Sequence, residues 1–311
     1  MKKIKILLST LLTTAVLFTM AGCGNSAPAS STSSSGTESA SEDTSSKNDF
    51  KVVASFYPMH IMTMNLTKGI DGVNLSSMSD PNMGCIHDHT FSTEDLKKIE
   101  NADVFVENGL DLEVFNDKIL QTYPDVKIAE ASEGITDAVK DGDEVNAHVW
   151  TNVDDYIEQV KNISKVLQQS NPQNKDKYSA NESAYIDSLN KLKNDYKDKL
   201  AACAGKKALI LDETLPSFCN YVKIDAISIE TDHEEEALSA DKLKDTINEM
   251  NEKNIRTILI AKDSDRTTAE TIAKETGADI YEINTCMVGK VDADAYLNDM
   301  KENFDIISSI K

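Results

Sequence analysis

After its first two dozen residues the chain has no apolar run of membrane-spanning length, which needs roughly 20 residues. Basic residues are scarce: 32 Lys and Arg stand against 53 Asp and Glu, for a net charge of −21. A surface so acidic argues against nucleic acid as a partner. It would attract cations, although a soluble extracellular surface has the same character. No HExxH helix, nucleophile elbow or phosphate-binding glycine loop occurs, so the usual signatures of hydrolytic and nucleotide chemistry are missing. Histidine and cysteine number five each. With so few of either, their positions carry the information.

The amino terminus sets an address. Lys2, Lys3 and Lys5 precede an apolar stretch from Ile6 to Phe18, about 13 residues, which suits a signal-peptide core. Met20-Ala21-Gly22-Cys23 then resembles the bacterial lipobox, with Met20 where leucine is usual. Residues 1–22 read as a signal peptide and Cys23 as a lipidated first residue. Acyl chains there would hold the protein on the outer face of the cell membrane. Removing residues 1–22 takes away three lysines and no acid, which leaves −24. Residues 23–49 are mostly Ser, Thr, Ala, Gly and Asn, a composition unable to offset its ordering entropy, and they read as a disordered tether.

From Phe50 onward short β-type runs alternate with helical ones. The sequence predicts strands at 52–56, 73–78, 102–106 and 126–129, with helices opening at Pro58, Ser92, Leu112 and Val153. That alternation predicts a parallel sheet covered on both faces. The pattern breaks at 174–203, which lacks Gly and Pro and carries Tyr178, Tyr185, Leu189, Leu192, Tyr196, Leu200 and Cys203 on one helical stripe. The rhythm then resumes, with strands near 207–211, 224–229, 256–261 and 280–283 and a closing helix at 293–310. The fold class is therefore α/β: two lobes with parallel sheets (50–172 and 205–311) joined by one long rigid helix (173–204). Ligands of such sheets bind at the carboxyl ends of strands, where His87, Asp212 and Asn284 fall.

Two histidines occupy loops that open helices: His87 in Gly84-Cys85-Ile86-His87-Asp88-His89, and His148 in Ala147-His148-Val149-Trp150. Neutral imidazole is the commonest ligand for borderline metals such as zinc, so these loops predict a metal site built from distant segments. His60, on a predicted helix, reads as structural. Cys203 and Cys219 read as small buried hydrophobes. Cys85 and Cys286 flank the predicted site loops and could form a disulfide, stay inert, or supply a thiolate, which would favour zinc over manganese.

Several stretches in fixed order carry a resemblance. They are Ala54-Ser55-Phe56-Tyr57-Pro58, Gly84 to Asp88 before Thr93-Glu94-Asp95-Leu96, Ala102 to Gly109, His148-Val149-Trp150, and Glu270 to Ala278. Together they make residues 50–311 resemble the metal-binding lipoproteins of ABC importers for zinc and manganese, the cluster A-I receptor family. The resemblance implies a monomeric extracytoplasmic receptor, not an enzyme, that passes Zn2+, or alternatively Mn2+, to an importer permease and its ATPase. It also implies a ligand set: His87, His148, Asp212 at the third position, and Asn284 where an acid is usual. His89, His233 and Glu213 are further candidate donors. A metallohydrolase using the same ligands, with Glu213 as general base, and a surface adhesin are the alternatives.

Overall fold

The computed structural model describes residues 49–87, 92–141, 144–229, 239–262 and 264–310, all within one compact unit. The signal peptide, Cys23, nearly all of the tether, His89 and His233 lie outside the described residues.

The first lobe contains β1 (Phe50–Ala54), α1 (Tyr57–Thr67), β2 (Val73–Ser77), α2 (Thr93–Ile99), β3 (Val104–Glu107), α3 (Asn116–Thr122) and β4 (Lys127–Glu130). A two-residue-stranded hairpin, β5 (Lys140–Asp141) with β6 (Glu144–Val145), follows, and sequence reasoning did not anticipate it. After a single 3-10 turn at Val149–Thr151 come α4 (Val153–Ser170) and the long α5 (Lys175–Ala201). The second lobe holds β7 (Lys207–Ile210), α6 (Leu215–Val222), β8 (Asp225–Ser228), α7 (Ala240–Glu252), β9 (Thr257–Ala261), α8 (Thr267–Thr276), β10 (Asp279–Ile283) and α9 (Ala295–Ser309).

Both four-stranded sheets are wholly parallel, in the orders β2-β1-β3-β4 and β8-β7-β9-β10. The two lobes therefore repeat one topology. Each has its switch point between its first and third strands, where crossovers leave in opposite directions and a crevice opens at the carboxyl edge. The central strands β3 and β9 are buried along their whole length, which is why they read as unbroken apolar runs.

Local chemistry explains the element ends. Ser92 opens α2 as its sequence position predicts, and the structure adds a reciprocal box with Asp95: Asp95 N donates to Ser92 Oγ (3.2 Å), and Ser92 N donates to the Asp95 carboxylate (3.0 Å). Gly277 ends α8 in the left-handed conformation. The predicted stripe of α5 is the face it buries, from Tyr178 through Leu200. At 27 residues the helix runs about 40 Å. It packs on α1 and α4 of the first lobe and on α9 of the second.

One apolar core extends through both lobes, and a smaller one lies under α7 and α8. Direct bonds also cross between lobes. Tyr57 OH donates to Lys290 O (2.8 Å), Asn65 Nδ2 to Ala293 O (2.9 Å), and Trp150 Nε1 to Thr285 O (3.0 Å). The rings of Tyr156 and Tyr296 stack with centroids 3.5 Å apart. Cys203, Cys219 and Cys286 are buried with free thiols, so the Cys85–Cys286 disulfide is not formed. Burial pushes the Cys219 thiol up to about 12, as expected of an inert core residue.

Candidate metal centre

Three segments converge at the cleft between the sheets' carboxyl edges. The first is the loop between β2 and α2. Ile86 there is fully buried and plugs the core. Cys85 and His87, on either side of that plug, are only partly buried. Their side chains meet, with Cys85 Sγ 2.8 Å from His87 Nδ1.

The second segment is the strap from Asn146 to Thr151, which delivers His148. It is tied down residue by residue. Asn108 Nδ2 donates to Ala147 O (3.0 Å), Thr151 Oγ1 to Thr214 O (3.1 Å), and Tyr296 OH to Trp150 O (2.9 Å). The Trp150 ring lies edge-on to His148, with centroids 5.1 Å apart. His148 itself is buried, and its Nε2 stands 3.4 Å from Cys85 Sγ.

The third segment follows β7. Glu213 Oε1 lies 3.2 Å from His148 Nε2 and 3.7 Å from His87 Nε2. One donor atom from each of Cys85, His87, His148 and Glu213 falls within 4.8 Å of the others. A thiol, two imidazoles and a carboxylate this close can share a single cation, with Zn–S near 2.3 Å and Zn–N or Zn–O near 2.0–2.2 Å in such sites. Among the described residues this is the one group of its kind.

Of the residues the sequence suggested, His87, His148 and Glu213 fall in this group, while Asp212 and Asn284 have hydrogen-bond roles of their own. Asp212 is not among the four. Its Oδ1 accepts from Thr214 N (2.9 Å) and from the Thr214 hydroxyl, closing the turn into α6. The next residue, Glu213, swings into the cleft instead. Asn284 is held by α9: its N–H donates to Asn303 Oδ1 (2.8 Å), and its carbonyl accepts from Asn303 Nδ2 (2.8 Å). Its own side-chain oxygen accepts from Cys286 N (2.9 Å), so it caps the β10 turn. Cys85 joins the cluster directly. Its signal was its spacing of two residues from His87.

A buried carboxylate supports the first lobe's crevice. Leu110 and Asp111 adopt left-handed backbone (φ 56° and 62°) just after β3, beside Gly109 at φ 82°. At this φ an L side chain is strained, and a Cβ on Gly109 would also stand 2.4 Å from Glu130 Cγ unless that side chain moved, so glycine suits the position. Glu113 staples this turn by accepting from Asn108 N (2.8 Å), Gly109 N (3.1 Å) and Ser55 Oγ (2.8 Å). Desolvation outweighs these three donors and pushes its pKa to about 7. Asn108, which this staple fixes, is the residue that holds Ala147 next to His148.

Two parallel α/β lobes bridged by a long helix, with a cluster of soft and borderline metal donors in the cleft, define a bilobal metal-binding receptor. The chain belongs to the family described as zinc-uptake complex component A, periplasmic, whose model matches residues 52–310. Members of that family are substrate-binding receptors of ABC transporters, not enzymes, so the metallohydrolase alternative falls. The chain is 29% identical over 298 residues to the iron ABC transporter substrate-binding lipoprotein MtsA of Streptococcus pyogenes serotype M1, covering 89% of this chain and 92% of that one. It is 27% identical over 294 residues to the manganese ABC transporter substrate-binding lipoprotein PsaA of Streptococcus pneumoniae serotype 4, covering 87% and 92%. Among solved structures, a mutant of the laminin-binding adhesin Lmb from Streptococcus agalactiae superposes with a TM-score of 0.73 at 25% identity, over 83% of this chain and 98% of that one.

Proposed function

We propose that this chain is a lipid-anchored, extracytoplasmic receptor that captures Zn2+ through Cys85, His87, His148 and Glu213 and delivers it to an ABC importer's permease and ATPase. The observation that carries this reading is the meeting of four donor atoms of these types within 4.8 Å. A thiolate with two imidazoles suits zinc, whereas manganese prefers carboxylate, carbonyl and water oxygens. That preference is what supports zinc here, although two relatives are named for iron and manganese.

Capture would begin with the field of a mature chain carrying −24 once three lysines of the −21 full sequence are removed, which draws cations toward the protein. Binding takes the proton from the Cys85 thiol, so metal uptake releases H+. The ion then joins the first lobe, through Cys85, His87 and His148, to the second, through Glu213. Release to a permease needs only that Glu213 draw away from the other three, a small movement consistent with lobes that share one core and one long helix. No helix among the described residues is long and apolar enough to cross a membrane, so Cys23 is the proposed means of attachment.

The test is elemental analysis of the untagged protein, with competition titrations for zinc and manganese. One zinc per chain is expected, and none in the His87→Ala, His148→Ala double variant. Cys85→Ser should weaken zinc about a hundredfold while leaving manganese within about threefold. Equal metal in parent and double variant, or a parent that prefers manganese, refutes the reading. A second reading, as an adhesin, draws on the likeness to the laminin-binding protein. Laminin binding by the metal-free double variant would support it.

A further inference from the structure

Asn146 precedes His148 by two residues and is buried, with 9% of its surface exposed. Its side-chain oxygen accepts from the His148 main-chain N–H (2.9 Å) and lies 3.1 Å from His148 Nδ1. Its amide nitrogen donates to the main-chain carbonyl of Glu213 (2.8 Å), across the cleft. The two main-chain partners fix which end of the amide is which, because an N–H must meet oxygen and a C=O must meet the NH2 group.

That assignment has a consequence for the histidine. An oxygen facing Nδ1 can only accept, so Nδ1 carries the hydrogen. An imidazole that binds a metal is neutral with one N–H, so with Nδ1 protonated the lone pair is on Nε2, and the cation then stands between Nε2 and the Glu213 carboxylate, which can itself only accept. Nε2 is the atom that faces Glu213 Oε1 (3.2 Å) and Cys85 Sγ (3.4 Å). The same side chain anchors the backbone of Glu213, the donor contributed by the other lobe.

We infer that Asn146 is the positioning residue of the metal centre: one amide sets the tautomer of His148 and pins the backbone of Glu213, thereby fixing the spacing between donors of the two lobes. This rests on the reading of Cys85, His87, His148 and Glu213 as the metal-holding set. Partners of this kind typically change metal affinity 10- to 100-fold when removed, an order-of-magnitude expectation for Asn146. Two variants separate its two tasks. Asn146→Ala removes all three side-chain contacts. Asn146→Asp keeps an acceptor for His148 but sets a carboxylate oxygen against the Glu213 carbonyl.

The experiment reads both tasks in the full chain. Long-range 1H–15N correlation on the metal-free protein at mildly alkaline pH identifies the protonated ring nitrogen of His148, assigned by its loss in His148→Ala. The parent and Asn146→Asp should show the Nδ1–H form alone, and Asn146→Ala a mixture of tautomers. Zinc affinity, by chelator competition, should fall about 10- to 100-fold in Asn146→Ala and about tenfold in Asn146→Asp. Co2+ loaded in place of zinc should show altered ligand-field bands in both. An Nε2–H form in the parent overturns the inference, whatever the variants do. So does an Asn146→Ala protein that melts lower but keeps the parent's tautomer and affinity, since a purely structural amide would behave that way. A parent that binds no zinc refutes the metal reading, while the tautomer measurement still reports on Asn146 and His148.

Discussion

Neighbouring acids give the sharpest test of the site, because Asp212 and Glu213 are adjacent in sequence and differ completely in surroundings. Glu213 Oε1 faces both imidazoles, at 3.2 and 3.7 Å, whereas Asp212 Oδ1 accepts from Thr214 N at 2.9 Å. Four-donor zinc sites bind with roughly 10–16 kcal/mol, so each donor contributes about 2.5–4 kcal/mol if shared evenly. Glu213→Ala should therefore weaken zinc by about 10²- to 10³-fold. Asp212→Ala instead removes a turn-closing acceptor, a loss of about 0.5–2 kcal/mol in folding stability. Its zinc affinity should stay within about threefold of the parent. Loosening of the turn could displace Glu213 indirectly, and Asp212→Asn controls for this. That change keeps the acceptor oxygen and deletes only the charge, so a turn residue tolerates it and an anionic ligand does not. The assays are zinc titration against a chelator and thermal unfolding of the metal-free proteins. The reasoning fails if Asp212→Asn loses zinc as Glu213→Ala is expected to, or if Glu213→Ala binds like the parent.

Two further outcomes follow from groups outside the cluster. Glu113 has a folded-state pKa of about 7 against 4.5, worth about 3 kcal/mol of stability that is present below pH 4.5 and lost as pH rises through 7. Glu113→Gln should flatten the stability-versus-pH curve by about that amount, leaving the separate slopes of Asp155 and Asp299, each raised to about 6 mainly by burial; urea unfolding at several pH values checks it, and an unchanged slope would show that Glu113 is not the titrating group. Trp150→Phe deletes the bond to Thr285 O and leaves that carbonyl without this donor in a buried position, so metal-free stability should fall by about 1–3 kcal/mol. Chemical denaturation would measure that loss, and a change below about 0.5 kcal/mol would mean the indole bond does not help hold the lobes together.

The fold was legible because each element announces itself in a pattern of one period. Buried parallel strands such as Thr257–Ala261 are continuous apolar runs, and the α5 stripe repeats at helical spacing over 27 residues. The small hairpin at Lys140–Asp141 and Glu144–Val145 escaped notice because two-residue strands have no period to read. At the site, histidines were legible because imidazole is rare in this chain and sits in loops. The choice between Asp212 and Glu213 was not legible. A one-residue step in a turn exchanges which carboxylate faces the cleft, and only the hydrogen bonds to Thr214 decide it. Asn146 was missed for a related reason: an amide two residues before a histidine is an ordinary loop feature until its second partner, 67 residues away, is known.

The repeated strand order has a mechanistic corollary. Two lobes of one topology, facing each other by their carboxyl edges, would give a symmetric cleft with equal claims on an ion. The strap from Asn146 to Thr151 breaks that symmetry. It follows the first sheet in sequence, yet Asn146, Trp150 and Thr151 all donate to carbonyls of the second lobe, at Glu213, Thr285 and Thr214. His148 thus belongs to the first lobe by covalent chain and to the second by hydrogen bonds. A hinge motion that parted the sheets would have to break those three bonds before it separated His148 from Glu213. The loop carrying Cys85 and His87 meets the cluster through side chains, with Cys85 Sγ 3.4 Å from His148 Nε2 and His87 Nε2 3.7 Å from Glu213 Oε1. Under the proposed metal-receptor reading, the smallest rearrangement that frees an ion is therefore at the exposed Glu213 side chain, which can draw away while the three bonds of the strap stay intact.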